Sequence, residues 1–241
     1  MTEPRFHATY RVRFDEAGPS GDLRTSGFLR FAQDVAWQHS EALGFDRAWY
    51  AERRLTWLVR AAEIDVSAAA PMGSTLDVST EVVGYRKVWA RRRSDIVLDD
   101  GSQVAWVHTD WLLIDGVGRP SRIPPEISHL FSAPVIGAAL PRVETGDPPP
   151  SARVRRFAVR SQELDPLGHV NNAVYVDWLE EGIRGAGPEA QAGIARRFRL
   201  EYAAAAEPDA ELESATWRDE QGWAHVVRRG DVVLFRARVG G

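Results

Sequence analysis

Leu164-Asp165-Pro166-Leu167-Gly168-His169-Val170-Asn171-Asn172-Ala173-Val174-Tyr175-Val176-Asp177-Trp178-Leu179-Glu180 is the stretch that decides the reading of this chain. An acid opens it, a Pro-x-Gly turn follows, and then come a His and two Asn. The segment runs straight into an apolar helix. A carboxylate, an imidazole and two amides are thereby gathered at one helix start, where backbone N–H groups also lack helical partners.

Working outward, the composition sets bounds. At 241 residues the chain holds one large domain or two of about 100–120 residues. Hydrophobic residues make up 44%, enough for a proper core, and nine Trp point to large aromatic surfaces. A net charge of −4 argues against a nucleic-acid binder. With no cysteine, disulfides, zinc-thiolate sites and Cys nucleophiles are excluded. No run approaches the roughly 18 apolar residues needed to span a bilayer. Met1 to His7 lack a basic-then-apolar signal pattern, so a cytoplasmic protein is expected.

The chain repeats itself. An offset of 168 − 21 = 147 lays Gly21 on Gly168, Val12-Arg13 on Val159-Arg160, Pro19 on Pro166, Phe28 on Tyr175 and Phe31 on Trp178. Each copy reads as a strand, a turn, one apolar helix and then long strands. Helices are expected over residues 25–43 and 172–184, the second stopped by Gly185 and Gly187. Strands are expected at 56–68, 75–82, 88–98, 103–114, 197–202 and 233–239, with Asp99-Asp100-Gly101-Ser102 as a hairpin turn. Residues 116–151, with Pro120, Pro124-Pro125, Pro134, Pro141 and Pro148-Pro149-Pro150, read as an extended connector. The pattern is α+β.

Along nearly its whole length the chain resembles the acyl-acyl carrier protein (acyl-ACP) thioesterases. The resemblance rests on Gly44-Phe45, Leu55-Thr56-Trp57-Leu58-Val59 and Tyr85-Arg86-Lys87-Val88-Trp89-Ala90-Arg91-Arg92 in the first half. In the second it rests on the motif from Leu164-Asp165 to Trp178-Leu179-Glu180, and on Leu200-Glu201-Tyr202. It implies a tandem (double) hot-dog fold, each unit a long central helix wrapped by an antiparallel sheet, with the two sheets pairing edge to edge. The implied units are 1–115, degenerate and forming the acyl pocket, and 152–241, catalytic, joined by 116–151. The implied activity is a thioester hydrolase of fatty acid biosynthesis, releasing free fatty acid from acyl-ACP. The family's plant members read Asp-x-Asn-x-His where this chain has Asp165-Pro166-Leu167-Gly168-His169. They also carry a Glu-Cys pair where Ala205 and Ala206 stand. The Asp-Pro-x-Gly form is similar to single-unit bacterial acyl-CoA thioesterases, which rely on the Asp.

Thioester hydrolysis requires an activated water or nucleophile, and donors for an oxyanion. Asp165 suits the first role, as general base or as a nucleophile forming an anhydride. His169, four residues on, is placed to orient Asp165, hold the water or polarise the carbonyl. The helix start supplies N–H donors. Asn171 and Asn172 either cap the helix or bind acyl or pantetheine amides. In the first copy Gly18 stands at the Asp165 position and Asp22 at the His169 position, which leaves one active site. Phe28, Phe31, Trp37 and Trp57 are candidate pocket walls, and Glu180 is a candidate second acid. Arg91, Arg93, Arg197 and Arg199 are candidates for docking acidic ACP. The His residues show no metal spacing, so neither metal nor cofactor is expected. Partners are acyl-ACP or acyl-CoA, with a homodimer left open and no nucleic acid. The rivals are an acyl-CoA thioesterase and a non-catalytic acyl-binding or regulatory protein.

Overall fold

A computed structural model of the chain describes residues 5–131, 139–185 and 196–240. Pro134 and Gly187 lie outside the described residues. The chain divides into two compact units, Met1–Ile64 with Ala68–Pro141, and Asp65–Ser67 with Arg142–Gly241.

The first unit runs β1 (Phe6–Arg11), α1 (Thr25–Ala42), α2 (Arg47–Arg53), β2 (Leu55–Val66), β3 (Thr75–Arg86), β4 (Trp89–Leu98), β5 (Gln103–Asp115) and α3 (Pro125–Ser128). Its strands lie in the order β1-β3-β4-β5-β2. The β1–β3, β3–β4 and β4–β5 pairs are antiparallel. Alternation in β3 sends Leu76, Val78, Thr80 and Val82 inward. Helix α1 packs on β1, β3, β4 and β5 through Phe28, Leu29, Phe31, Ala32, Val35, Ala36 and His39. Burial of each large apolar side chain in that list stabilises the unit by about 1.5–3 kcal/mol.

The second unit runs β6 (Arg153–Ala158), a 3-10 turn (Ser161–Glu163), α4 (Asn172–Arg184), β7 (Arg196–Tyr202), β8 (Glu211–Asp219), β9 (Gly222–Arg229) and β10 (Val232–Gly240). Its strand order is β7-β10-β9-β8-β6, every pair antiparallel. Phe198, Leu200 and Tyr202 face the core, as their alternation requires. In β10 a bulge between Val233 and Phe235 shifts the register, so Leu234 and Phe235 are both buried. Helix α4 lies on β8 and β9. Gly182 permits the approach, because a Cβ there would fall on Thr216 Oγ1.

The stretch 116–151 is not extended throughout. Ile127 is buried in the short helix α3. Nearer the second unit the chain is held down on its sheet: Val143 N–H donates to Glu201 Oε2 (3.0 Å), and Arg238 donates to the carbonyls of Glu144 (3.0 Å) and Thr145 (3.3 Å). Proline spacing reports the lack of helix but not these tertiary hydrogen bonds. Short helix α2 carries too few residues for a helical period to show in the sequence.

Three histidines are kept neutral. Burial, with Arg92 adding to it, lowers His39 to about 4. Burial, with Arg155 adding to it, lowers His225 to about 3. Burial also lowers His108, helped by Arg93 and Arg91. The unfolded chain takes up these protons near pH 6.5, and the folded chain does so only at lower pH. Stability is therefore complete above pH 6.5 and falls as the pH drops toward those depressed values. Between pH 6.5 and 5 ordinary carboxylates are silent, so the loss there belongs to histidine. Unfolding free energies from urea titrations across that window are expected to fall, by up to about 1.4 kcal/mol per pH unit per histidine. The slope should shrink in His225→Asn, and an unchanged slope would show that His225 takes no part.

Candidate functional site

The site begins as a turn. Leu164 and Val170 form an antiparallel bridge. Inside it Asp165 N–H donates to the His169 carbonyl (2.8 Å), and Gly168 N–H donates to the Asp165 carbonyl (2.9 Å). Gly168 has φ +79°, which a Cβ would penalise. The Asp165 carboxylate is part of the turn: Oδ1 accepts from Leu167 N–H (2.8 Å) and from His169 N–H (3.3 Å). This Asx-type geometry fixes the side-chain rotamer. Among the described residues Oδ2 accepts no hydrogen bond, and Asp165 is half-buried.

His169 thus meets Asp165 through its main-chain N–H. Among the described residues the half-buried imidazole makes no hydrogen bond, to Asp165 or to any other group. Asn171 is the N-cap of α4, its Oδ1 accepting from Ala173 N–H (2.9 Å). Val174 N–H is taken by the Asn171 carbonyl (2.9 Å). Of the first three amides of α4, that of Asn172 is then left open among the described residues. The helix start offers one open first-turn donor there rather than a fan. The Asn172 carbonyl accepts from Tyr202 Oη (3.0 Å).

Two supporting residues were not picked out from the sequence. Glu163 accepts from Arg160 N–H (2.7 Å) and Trp178 Nε1 (3.2 Å), and its carbonyl accepts from Asn171 N–H (2.9 Å). The repeat carried the signal, since the 147 offset lays Arg13 and Glu16 on Arg160 and Glu163. Tyr175 is the second. It is buried against Trp178, Tyr202 and Phe235, and its hydroxyl accepts from Ala206 N–H (3.0 Å). Burial, with a smaller contribution from the Asp165 charge, pushes it up to about 12. Ala206 O also accepts from Val170 N–H (3.3 Å). At the place of the Glu-Cys pair, the main chain makes these contacts.

The first copy builds the same turn without its acid. Gly18 N–H donates to the Asp22 carbonyl (2.8 Å), Gly21 N–H to the Gly18 carbonyl (3.0 Å), and Gly21 has φ +85°. Glu16 repeats the role of Glu163, taking Arg13 N–H (3.1 Å) on its carboxylate and Arg24 N–H (3.1 Å) on its carbonyl. The Tyr10–Phe31 ring pair (4.6 Å) matches Phe157–Trp178 (4.9 Å).

Of the candidate walls, Phe28 and Phe31 are buried and Trp57 donates to Tyr50 Oη (3.0 Å). Trp37 is 40% exposed and bonded to Glu41, so it lines no interior there. Glu180 is half-buried on α4. The basic candidates are largely neutralised. Arg91 grips Asp110 with two bonds (2.7 and 3.0 Å), Arg93 pairs with Asp95 (2.8 Å), and Arg197 pairs with Asp65 (2.7 Å). Arg199 is exposed. Among the described residues there is no cluster of three metal-ligating side chains, and no helix is long and apolar enough to cross a membrane.

Residues 3–131 match the family model of the acyl-ACP thioesterase N-terminal domain, and residues 147–234 match that of the C-terminal domain. The chloroplastic acyl-(acyl-carrier-protein) hydrolase FATB2 of Cuphea viscosissima is 25% identical over 90% of this chain and 56% of its own length. The chain thus spans about half the length of the curated relatives it matches. A solved structure described as an oleoyl thioesterase of Lactobacillus plantarum superposes with a TM-score of 0.88. It is 18% identical and covers 98% of this chain and 95% of its own. The 12:0-ACP thioesterase of Umbellularia californica superposes at 0.81, with 22% identity, over 98% and 96%. These structures share the fold.

The cap is directly testable. Asn171→Ala is expected to destabilise the protein by about 1 kcal/mol, and Asn171→Asp, which keeps an acceptor oxygen, by much less. Equal denaturant midpoints for the two variants would show that the Oδ1–Ala173 bond carries no stability.

Proposed function

The chain belongs to the acyl-ACP thioesterase family, and from that premise we propose that it hydrolyses fatty acyl thioesters of ACP to free fatty acid. In this reading the fold is a tandem hot dog. The first unit, 1–115, holds the acyl chain, 116–151 connects, and 152–241 carries the chemistry.

The observation that carries the reading is the state of Asp165. One carboxylate oxygen is fixed by two main-chain N–H groups and the other accepts no hydrogen bond among the described residues, in the turn that leads into α4. Oδ2 takes a proton from water as that water adds to the thioester carbonyl. The carbonyl oxygen gains negative charge and is met by the Asn172 N–H and the positive end of α4. Collapse of the intermediate breaks the C–S bond, and the proton on Asp165 returns to the departing sulfur. In the alternative course the same carboxylate oxygen attacks the carbonyl itself; the C–S bond breaks, the thiolate leaves and takes a proton from water, and a second water then opens the acyl–Asp165 anhydride to the free acid and the regenerated carboxylate. His169, whose imidazole makes no hydrogen bond among the described residues, is available to substrate or water. A second reading, acyl-CoA hydrolysis, draws support from the Asp-Pro-x-Gly turn and from Ala205 and Ala206, which offer no Glu or Cys side chain.

A panel of matched acyl-ACP and acyl-CoA substrates tests the proposal through thiol release. Preference for acyl-CoA at every chain length would move the assignment to the second reading. No hydrolysis of either would point to an acyl-binding protein. Asp165→Asn is expected to lower kcat more than ten-fold, a loss above about 1.4 kcal/mol; a smaller loss rejects it as the essential base or nucleophile.

His169→Ala is expected to lower kcat more than it raises KM. A rise in KM with kcat unchanged would make His169 a binding residue alone.

A further inference from the structure

Two aromatic residues stand at one place in the two copies. Tyr175 is the fourth residue of α4, and the offset of 147 lays it on Phe28, the fourth residue of α1. Both are buried, at 2% and 1% exposure. Beside each, the same main-chain bond closes: Val170 N–H donates to the Ala206 carbonyl (3.3 Å), and Leu23 N–H donates to the Ala70 carbonyl (2.8 Å). Ring, turn and main-chain bond are thus common to both units and serve their folding. Two groups are not common. Gly18 stands where Asp165 has its carboxylate, and Phe28 has no hydroxyl. The copy without the acid is also the copy without the hydroxyl.

The Tyr175 hydroxyl has a proton to give. Its oxygen accepts from Ala206 N–H (3.0 Å), which occupies a lone pair and leaves the O–H over. Among the described residues no acceptor takes that proton. Tyr202, packed edge-on against Tyr175, donates its own hydroxyl to the Asn172 carbonyl (3.0 Å). Leaving a buried donor without a partner is costly, so the O–H of Tyr175 calls for an acceptor. Its place is fixed by the Ala206 bond and by the rings of Trp178, Tyr202 and Phe235 around it. The Asp165 charge is felt there: added to burial, the larger cause, it helps push the hydroxyl up to about 12. At neutral pH the group is therefore a donor and not a base.

We propose that Tyr175 is a positioning residue for the hydrolytic water, its hydroxyl donating to the water oxygen while Asp165 Oδ2 accepts one of the water's protons. The inference rests on the reading of Asp165 as the base of a thioesterase. No direct hydrogen bond joins Tyr175 to Asp165, although the charge of one acts on the other; a water is the group that bridges polar atoms at such a range. Held by one lone pair and one O–H, that water keeps its second lone pair for the thioester carbonyl. Its proton passes to Asp165 as the C–O bond forms, and Tyr175 keeps its own proton throughout. In the first unit neither end of the bridge is present.

Tyr175→Phe puts the first copy's residue at this place and keeps the ring. Steady-state hydrolysis by the full chain, on whichever of acyl-ACP and acyl-CoA the wild type turns over, tests the inference. In Tyr175→Phe kcat is expected to fall about ten-fold or more, with KM changed less than about two-fold. Tm should fall by no more than about 4 °C, the scale of one lost hydrogen bond. In an Asp165→Asn background the same substitution should cost less than about three-fold further, because the base that the water serves is gone. A residue that merely held Ala206 in place would instead cost the same factor with or without the carboxylate. A smaller fall in kcat, a rise in KM that matches it, a larger fall in Tm, or an equal loss in both backgrounds overturns the inference and leaves the thioesterase reading standing. If the wild type hydrolyses neither thioester, both are overturned.

Discussion

The bond from Asp165 N–H to the His169 carbonyl closes a turn that requires positive φ at residue 168. Glycine meets that requirement without strain. Once the turn is closed, the Asp165 side chain has little freedom, because its own Oδ1 accepts from the Leu167 and His169 amides. The open carboxylate oxygen is therefore positioned by local main-chain chemistry. Long-range packing then has one task, to hold α4 against that turn. Glu163 does so from one side and Tyr175, through Ala206, from the other. In the proposed reaction, positioning of this kind ahead of substrate would lower the entropic part of the barrier.

The first unit shows that the turn and the acid are separable. Gly18 to Asp22 close the same hydrogen bonds with Gly21 at positive φ, and Glu16 reproduces the anchoring of Glu163. What is lost is the carboxylate and the capping amide, not the scaffold. A scaffold kept without its acid contributes to folding in its own right, since it joins the start of a buried helix to the strand before it. The Tyr10–Phe31 and Phe157–Trp178 ring pairs make the same join in the two units.

Much of this was legible in the sequence, and the reasons are specific. Helix α4 was read at its observed bounds because Asn171-Asn172 caps it and Gly185 follows it. Strands β3 and β7 were legible because one face is more buried than the other, which gives a period of two, and β10 because Val233, Phe235, Ala237 and Val239 alternate in the sequence although Leu234 and Arg238 between them are buried as well. The bulge in β10 was not, since an extra residue leaves no mark when both neighbours are apolar. At the site, Asp165 and the cap position could be named from residue type and spacing. Glu163 and Tyr175 could not. One works mainly through backbone amides and an indole N–H, and the other hides a polar contact inside an aromatic cluster. Only the identity of Glu16 with Glu163 across the repeat gave notice.

Arginine counts mislead for a related reason. The run Arg91-Arg92-Arg93 suggests a docking patch for an acidic carrier, yet Asp110 is 3% exposed and holds Arg91 by two bonds. Arg93 lies over Trp106 and pairs with Asp95. Breaking a buried pair strands the remaining charge, at a cost of about 3–5 kcal/mol, so charge reversal at Arg91 would report unfolding before it reported docking. Arg197 is offset by Asp65, and Arg238, across from Arg199 in the sheet, is offset by Asp219. Of the four docking candidates this leaves Arg199 as the one exposed to water without an acidic partner among the described residues. A field that steers an acidic partner is made of such unopposed charges, and it decays over about 8 Å at physiological salt. The arginine total of the chain says little about it.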